Sequence, residues 1–354
     1  MDIGEQVAIG LPPRIGPLRS RVPHVSAVRY GYHASHEQFA PSALLAHVQN
    51  AEAAGFECAK SSDHFHPWSE RQGQSGFAWS WLGAAMQATS LPFGIISAPG
   101  YRYHPAVLAQ AAATLGEMFE GRLWLALGSG EAINESITGM AWPEKAERNA
   151  RLAECISIIR DLLAGETVTH RGRLEVIEAH LYSRPLRPLP LYGAAVSPDT
   201  ARLLAPLVDG LLTPGGAPEA VQRVLDAFRE GGGGGKPVVL QWAVSWAPRE
   251  ADALAQAIEQ WAPCCLGGEV AWDLRRPADF DRASRAIGEA EVRDCVFVSD
   301  SSSAFVDRLG ALSSLGVDEI HLHQVGRNQK AFIEEFGTHV LPQVRINANK
   351  VASR

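Results

Sequence analysis

A (β/α)8 barrel is the fold class this sequence predicts, and three observations predict it. Eight short apolar runs alternate with eight helical patterns along the 354 residues. Most of the runs are continuous instead of alternating, as in strands covered on both faces. The chemically loaded side chains gather just past the C-terminal ends of those runs, where such barrels build their active sites. An open doubly wound sheet is the second arrangement the alternation allows.

Val28–His33, the first expected strand, leads to a helix at Pro41–Ala54 with Pro near N1 and a stop at Gly55. Phe56–Ser61 is followed by Ala78–Thr89, Phe93–Ser97 by Pro105–Phe119, and Leu123–Leu127 by Glu144–Ala164. In the second half Leu189–Ala194 precedes Pro198–Ala205, Gly210–Thr213 precedes Pro218–Glu230, and Val238–Ser245 precedes Glu250–Trp261. A last helix, Ser302–Leu315, comes before the eighth strand, Glu319–Gln324. Residues 28–345 are expected to form one barrel domain with an insertion at about 263–298, which holds an extra strand at Cys295–Val298. Insertions of this length often wall a site. Residues 1–27, with Leu11-Pro12-Pro13-Arg14 and Pro17, read as a flexible arm and lack the pattern of a secretory signal.

Composition narrows the function. A chain 46% hydrophobic and 20% charged has ample material for a core. A formal net charge of -7 provides no field for nucleic acid or an anionic membrane, and no run approaches spanning length. Five cysteines without a C-x-x-C motif suggest reduced thiols in a cytoplasmic protein. The run Gly231–Gly235 lies on the rim opposite the loaded loops and reads as a connector.

Two clusters carry chemistry. Ser61-Ser62-Asp63-His64-Phe65-His66-Pro67-Trp68 ends the second strand with an acid, two histidines and a tryptophan; Leu127-Gly128-Ser129-Gly130-Glu131 ends the fourth with glycines beside a carboxylate. The second is no dinucleotide fingerprint, because Ile133 stands where the third glycine belongs. A metal-dependent barrel hydrolase is the competing class, since His64-x-His66 and His321-x-His323 both end strands. The loops after the fifth and sixth strands, Ala195-Val196-Ser197 and Thr213-Pro214-Gly215-Gly216, supply no further ligand, so no metal is expected.

The motifs Val28–Phe39, Ser62-Asp63-His64-Phe65 with Pro67-Trp68, Arg102-Tyr103-His104-Pro105, Gly128–Glu135 and Trp142-Pro143-Glu144 resemble the deazaflavin-dependent glucose-6-phosphate dehydrogenase group. That group belongs to the luciferase-like flavin and deazaflavin oxidoreductases. The resemblance runs from about residue 28 to Phe336-Gly337 and is strongest before residue 165. It implies a luciferase-like barrel, a homodimer, a small-molecule substrate, and FMN or coenzyme F-420 in the barrel mouth. By resemblance, His64 is the base that takes a proton from a substrate hydroxyl, and Glu131 is the acid facing the cofactor ring. Trp68 covers the reacting centre, where it would stabilise an imidazolium, and Glu37 joins it against the substrate. Asp63, Ser97, Ala98, Ser129, Gly130, Glu131, Asn134, Ala195 and Val196 are the implied cofactor contacts, with Asp63 also orienting His64. Thr213 and Arg282 are implied on the substrate side.

Three departures bear on substrate and cofactor. The lysine that follows the sixth strand in the sugar-phosphate dehydrogenases is absent here, which counts against glucose 6-phosphate unless Arg275, Arg276, Arg282 or Arg293 replaces it. The stretch Ile96–Gly100 is one residue short, and Ala195-Val196 stand in place of paired glycines. Both changes point toward FMN and toward the branch that does not use F-420. The leading reaction is hydride transfer from a sugar or alcohol hydroxyl. The alternative within the superfamily is a reduced-FMN monooxygenase, which needs a separate flavin reductase.

Overall fold

The structure is a computed structural model and describes residues 28–267 and 270–352, so the expected N-terminal arm lies outside the described residues. The strands in chain order are β1 (Arg29–Ala34), β2 (Cys58–Ser61), β3 (Phe93–Ser97), β4 (Leu123–Leu127), β5 (Val168–Arg171), β6 (Glu175–Ala179), β7 (Leu191–Ala194), β8 (Gly210–Pro214), β9 (Val238–Trp246), β10 (Phe297–Ser299) and β11 (Glu319–Gln324). Eight of them close into a parallel barrel in the order β1-β2-β3-β4-β7-β8-β9-β11, with β11 returning to β1. The expected (β/α)8 fold is therefore present.

The helices form where the apolar spacing and the Pro starts place them. Pro41, Pro105, Pro198 and Pro218 each stand in the first turn, where a missing N–H costs nothing. Gly55, at φ +93°, turns the chain out of the first helix into β2.

Departures from the expected pattern are local. The extra strand in the insertion is Phe297–Ser299, added in parallel to the upper end of β9. The hairpin β5–β6 precedes β7 and was not expected; its strands carry mostly polar residues and give no apolar run to read. After β11 the chain continues in the helices Gln329–Glu335 and Leu341–Ala352, which complete the eighth unit. The helix Ser302–Ser313 belongs instead to the extended crossover between β9 and β11. Among the described residues no helix is long and apolar enough to cross a membrane.

Alternate strand residues divide between two cores. Tyr30, Tyr32, Ile95, Leu125, Leu240 and Leu322 face the helices. Inside the barrel Trp124 stacks on Tyr192 at 5.0 Å, and Gly94 is required there because a Cβ would lie 2.0 Å from the indole. The interior also carries polar side chains. Near the N-terminal ends Arg29 pairs with Glu319, Glu319 Oε2 lies 2.7 Å from His321 Nε2, and Cys58 Sγ lies 3.8 Å from the same nitrogen. Among the described residues Cys58, Glu319 and His321 are the one group close enough to share a cation, and they lie at the end of the barrel opposite His64. Lys60, His33 and His323 are buried further up, and burial pushes the Lys60 ammonium down to about 7 and His323 to about 3.

Candidate active site

The loops after β1, β2 and β4 converge on His64. Glu37, from the first loop, is buried and accepts hydrogen bonds at Oε2 from Ser35 Oγ and Ser62 Oγ, both at 2.8 Å. Its Oε1 lies 3.2 Å from His64 Nε2. Glu131, from the loop after β4, puts Oε2 3.8 Å from the same nitrogen. One imidazole nitrogen therefore faces two carboxylates from different strands.

The environments of the two acids separate their proton affinities. Burial pushes Glu37 up, but His64, its own backbone and the Ser35 and Ser62 hydroxyls together pull it down to about 2, so it is ionised at neutral pH. Burial and the charge of Glu37 hold the Glu131 carboxyl above the usual carboxylate range, with His64 and Asn134 only partly offsetting them. Glu37 thus gives up its proton more readily than a free carboxyl, and Glu131 holds one more tightly.

Asn134 fixes the geometry. Its Oδ1 accepts from Phe65 N at 2.9 Å and His66 N at 3.3 Å, which directs Nδ2 toward His64 Nδ1 at 3.1 Å and Glu131 Oε2 at 3.3 Å. His64 Nδ1 also lies 3.3 Å from the His66 carbonyl. The tautomer protonated at Nε2 satisfies this surrounding: Nε2–H donates to Glu37 Oε1, and Nδ1 accepts from Asn134 Nδ2. Glu131 occupies the N-cap of the helix Ala132–Glu135, but its side chain makes no capping bond. The carboxylate is free for other work.

Trp68 packs on His64 with centroids 5.0 Å apart and is held from behind by Phe280 at 5.3 Å. Its backbone N–H donates to Gln72, which donates in turn to the Gln260 carbonyl. The insertion thus walls the site through Phe280, as its length suggested, although the sequence did not single out this residue.

Asp63 requires a correction. It does not orient His64: its carboxylate turns the other way and accepts from Ser97 Oγ at 2.6 Å, Tyr103 OH at 2.9 Å and Arg102 Nη1 at 3.2 Å. Orientation comes from Asn134 and Glu37. Arg102 also pairs with Glu135, whose carboxyl burial pushes to about 7. Arg102, Tyr103 and Glu135 stood in the recognised motifs without being assigned a role; an arginine and a tyrosine in the loop after an apolar strand were the available signal.

Small residues line the space beside Glu131. Gly130 has φ +81°, and a Cβ there would meet Glu135 Cγ at 2.9 Å and Ala98 Cβ at 3.3 Å. Ala98 thus stands beside the bare face of Gly130, Ser97 is tied to Asp63, and Ser129 is half-buried. Ala195 is buried with its N–H donated to Leu212, while Val196 is exposed. Gly130 and Ala98 put no side chain beyond a methyl beside the Glu131 loop, which suits the close approach of a flat redox ring. Thr213 is buried and, by strand alternation, shares the helix-facing side of β8 with Leu211, so it does not reach the mouth. Arg282 is largely exposed and paired with Asp279 at 3.4 Å. The histidine pairs do not converge as a metal site would need: His66 Nδ1 lies 2.7 Å from the Ile133 carbonyl, whereas His321 and His323 are buried inside the barrel.

A parallel barrel with this cluster in the loops after its strands defines an oxidoreductase of the luciferase-like class, and the chain belongs to the luciferase-like monooxygenase family, whose model matches residues 22–319. An F420-dependent glucose-6-phosphate dehydrogenase of Beutenbergia cavernae is 35% identical over 336 residues, covering 92% of this chain and 100% of that protein. Its counterpart in Mycobacterium tuberculosis is 32% identical over 91% of this chain and 99% of its own length. An F420-dependent secondary alcohol dehydrogenase, solved with an F420-acetone adduct, superimposes with a TM-score of 0.84 at 28% identity, covering 90% of this chain and 100% of that one.

Proposed function

We propose that this protein transfers hydride between the hydroxyl-bearing carbon of a small molecule and coenzyme F-420. The observation that carries the reading is His64 Nε2 lying 3.2 Å from an ionised Glu37 and 3.8 Å from Glu131. The named relatives support F-420 over FMN, against the lean suggested by Ala195-Val196 and the short Ile96–Gly100 stretch. When bound, the coenzyme supplies a ring that accepts the hydride.

The residues divide the remaining work. His64 is the base for the hydroxyl proton, and Glu37 stabilises the resulting imidazolium across 3.2 Å. Glu131, with its raised affinity for a proton, holds one at its carboxyl for delivery to the ring side. Trp68 and Phe280 keep water from the reacting carbon, and the His64 face of Trp68 favours the charged imidazole by about 0.5 to 2 kcal/mol. Ser97, Ala98, Ser129, Gly130, Asn134 and Ala195 would hold the coenzyme, with Asp63 bracing Ser97. Parallel fluorescence titrations of the purified protein with F-420 and FMN test the assignment. Saturable one-to-one binding of F-420 with weak or no FMN binding is expected; FMN binding alone would transfer the protein to flavin chemistry.

A further inference from the structure

The chemistry at the mouth leaves a buried cluster unused at the opposite end of the barrel. Strand register builds it: Gly31 of β1 lies beside His321 of β11 on one side and Cys58 of β2 on the other. A Cβ at Gly31 would meet His321 Nδ1 at 2.4 Å and Cys58 Sγ at 2.8 Å. The two flanking side chains therefore close over the glycine, with Cys58 Sγ 3.8 Å from His321 Nε2. Glu319 stands two residues before His321 and faces the same way, with Oε2 2.7 Å from Nε2. All three are buried, and Arg29 holds the other carboxylate oxygen.

We propose that Cys58, Glu319 and His321 form a binding site for a zinc ion, with water as the fourth ligand. A thiolate, an imidazole and a carboxylate together are a zinc donor set. One ligand atom from each residue lies within 4.8 Å of the other two. Tetrahedral zinc, at about 2.3 Å from sulfur and about 2.1 Å from nitrogen, sets those two atoms about 3.6 Å apart. The observed 3.8 Å is close to that span. Nitrogen and oxygen need about 3.3 Å around the same ion, so the 2.7 Å contact opens as zinc takes the place of the proton between them. That ring proton moves to Nδ1, and the Cys58 thiol proton leaves to solvent. The thiolate and the carboxylate then balance the charge of the ion.

Three further observations favour an ion here. His321 Nδ1 and Trp124 Nε1 are both buried without a hydrogen-bond partner, and the two rings meet edge to face at 6.0 Å. Orphan polar atoms side by side in a core point to a bound ion or its water. Arg29 fixes the glutamate from outside, as outer hydrogen-bond partners hold the ligands of metal sites. A cavity of about 210 Å³ at this end is lined by Arg29 and Trp124, the neighbours of Glu319 and His321, and provides the route for the ion. The three ligands come from β11 and β2, on either side of β1, where the last strand closes on the first. Zinc bound there would tie the seam of the barrel.

The test dialyses the full-length protein against a chelator and titrates it with cobalt(II) as a spectroscopic stand-in for zinc. One equivalent is expected to give a thiolate-to-cobalt charge-transfer band and the visible bands of four-coordinate cobalt, both erased by one equivalent of zinc. Zinc at about 100-fold excess over its Kd should also raise the thermal midpoint by about 3 °C or more. Cys58→Ser should lose the charge-transfer band with its circular dichroism unchanged, and Glu319→Gln should keep the band but bind cobalt more weakly. Cys295→Ser, which removes the exposed thiol, should behave as the parent. No band in the parent, a band kept in Cys58→Ser or lost in Cys295→Ser, or undiminished affinity in Glu319→Gln overturns the proposal. None of these readouts is turnover, so the site stands or falls separately from the proposed reaction.

Discussion

Glu37 Oε1 lies 3.2 Å from His64 Nε2, and the two residues reach each other from the loops after adjacent strands, β1 and β2. The contact exists because Ser35 and Ser62 hold the other carboxylate oxygen, so the acid cannot swing away. A pair fixed this way can receive a proton with little rearrangement.

Replacing His64 by alanine removes the proposed base. Turnover should fall about 100-fold or more, with coenzyme affinity largely kept, because nothing assigned to hold the ring has been changed. Steady-state rates and coenzyme titration of the variant check this; near-normal turnover removes His64 as the base.

Glu37→Gln keeps the shape and loses the charge. The lost charge-assisted contact should lower turnover by roughly 10- to 100-fold, at about 1.5 to 3 kcal/mol. It also tests stability. A carboxyl depressed to about 2 in the folded state, from an ordinary 4.5, stabilises the fold above the unfolded value and loses that contribution as pH falls through 4.5 toward 2. Urea unfolding of both proteins should show a deficit for the variant at pH 7 that shrinks in acid.

Lys60 is buried with no hydrogen-bond partner for Nζ, and burial lowers it from 10.5 to about 7. The unfolded chain binds this proton more readily, so the penalty on folding grows as pH falls from 10.5 to 7 and is complete below that. Lys60→Met should stabilise the protein at pH 7 by about 1 to 3 kcal/mol, and by less near pH 10. Urea midpoints at the two pH values decide it, and a destabilised variant at both contradicts the reading.

Gly130→Ala places a Cβ 2.9 Å from Glu135 Cγ at φ +81°. Strain of about 1 to 2 kcal/mol is expected. Glu131 should shift with the loop, so coenzyme affinity and turnover fall together while the fold survives. Thermal unfolding and titration of the variant separate these effects.

The barrel was legible because its strands are buried on both faces and read as unbroken apolar runs; β5 and β6, polar and outside the barrel, left no such trace. The helices after β11 were missed because the eighth unit had been given the helix before its strand. At the site, His64, Glu37, Glu131, Trp68 and Asn134 come together as their positions after the strands suggested. Asp63 was misassigned because the neighbour of a base along the chain need not be its neighbour in space: the loop turns the two side chains to opposite sides. Phe280 was unreadable, since no periodicity ties the insertion to Trp68. The exposure of Arg282 was readable, because Asp279 stands three residues before it on one helical face.

The central claim is hydride transfer from a hydroxyl-bearing carbon with His64 as base. Its most direct test follows propan-2-ol deuterated at C2, incubated with the protein and F-420, with the reduced coenzyme analysed by mass spectrometry, and repeats the reaction with glucose 6-phosphate deuterated at C1. Deuterium in the coenzyme, formed at a rate that collapses in His64→Ala, is the predicted result. Reduction without label, or label transferred equally well by the variant, would contradict the account.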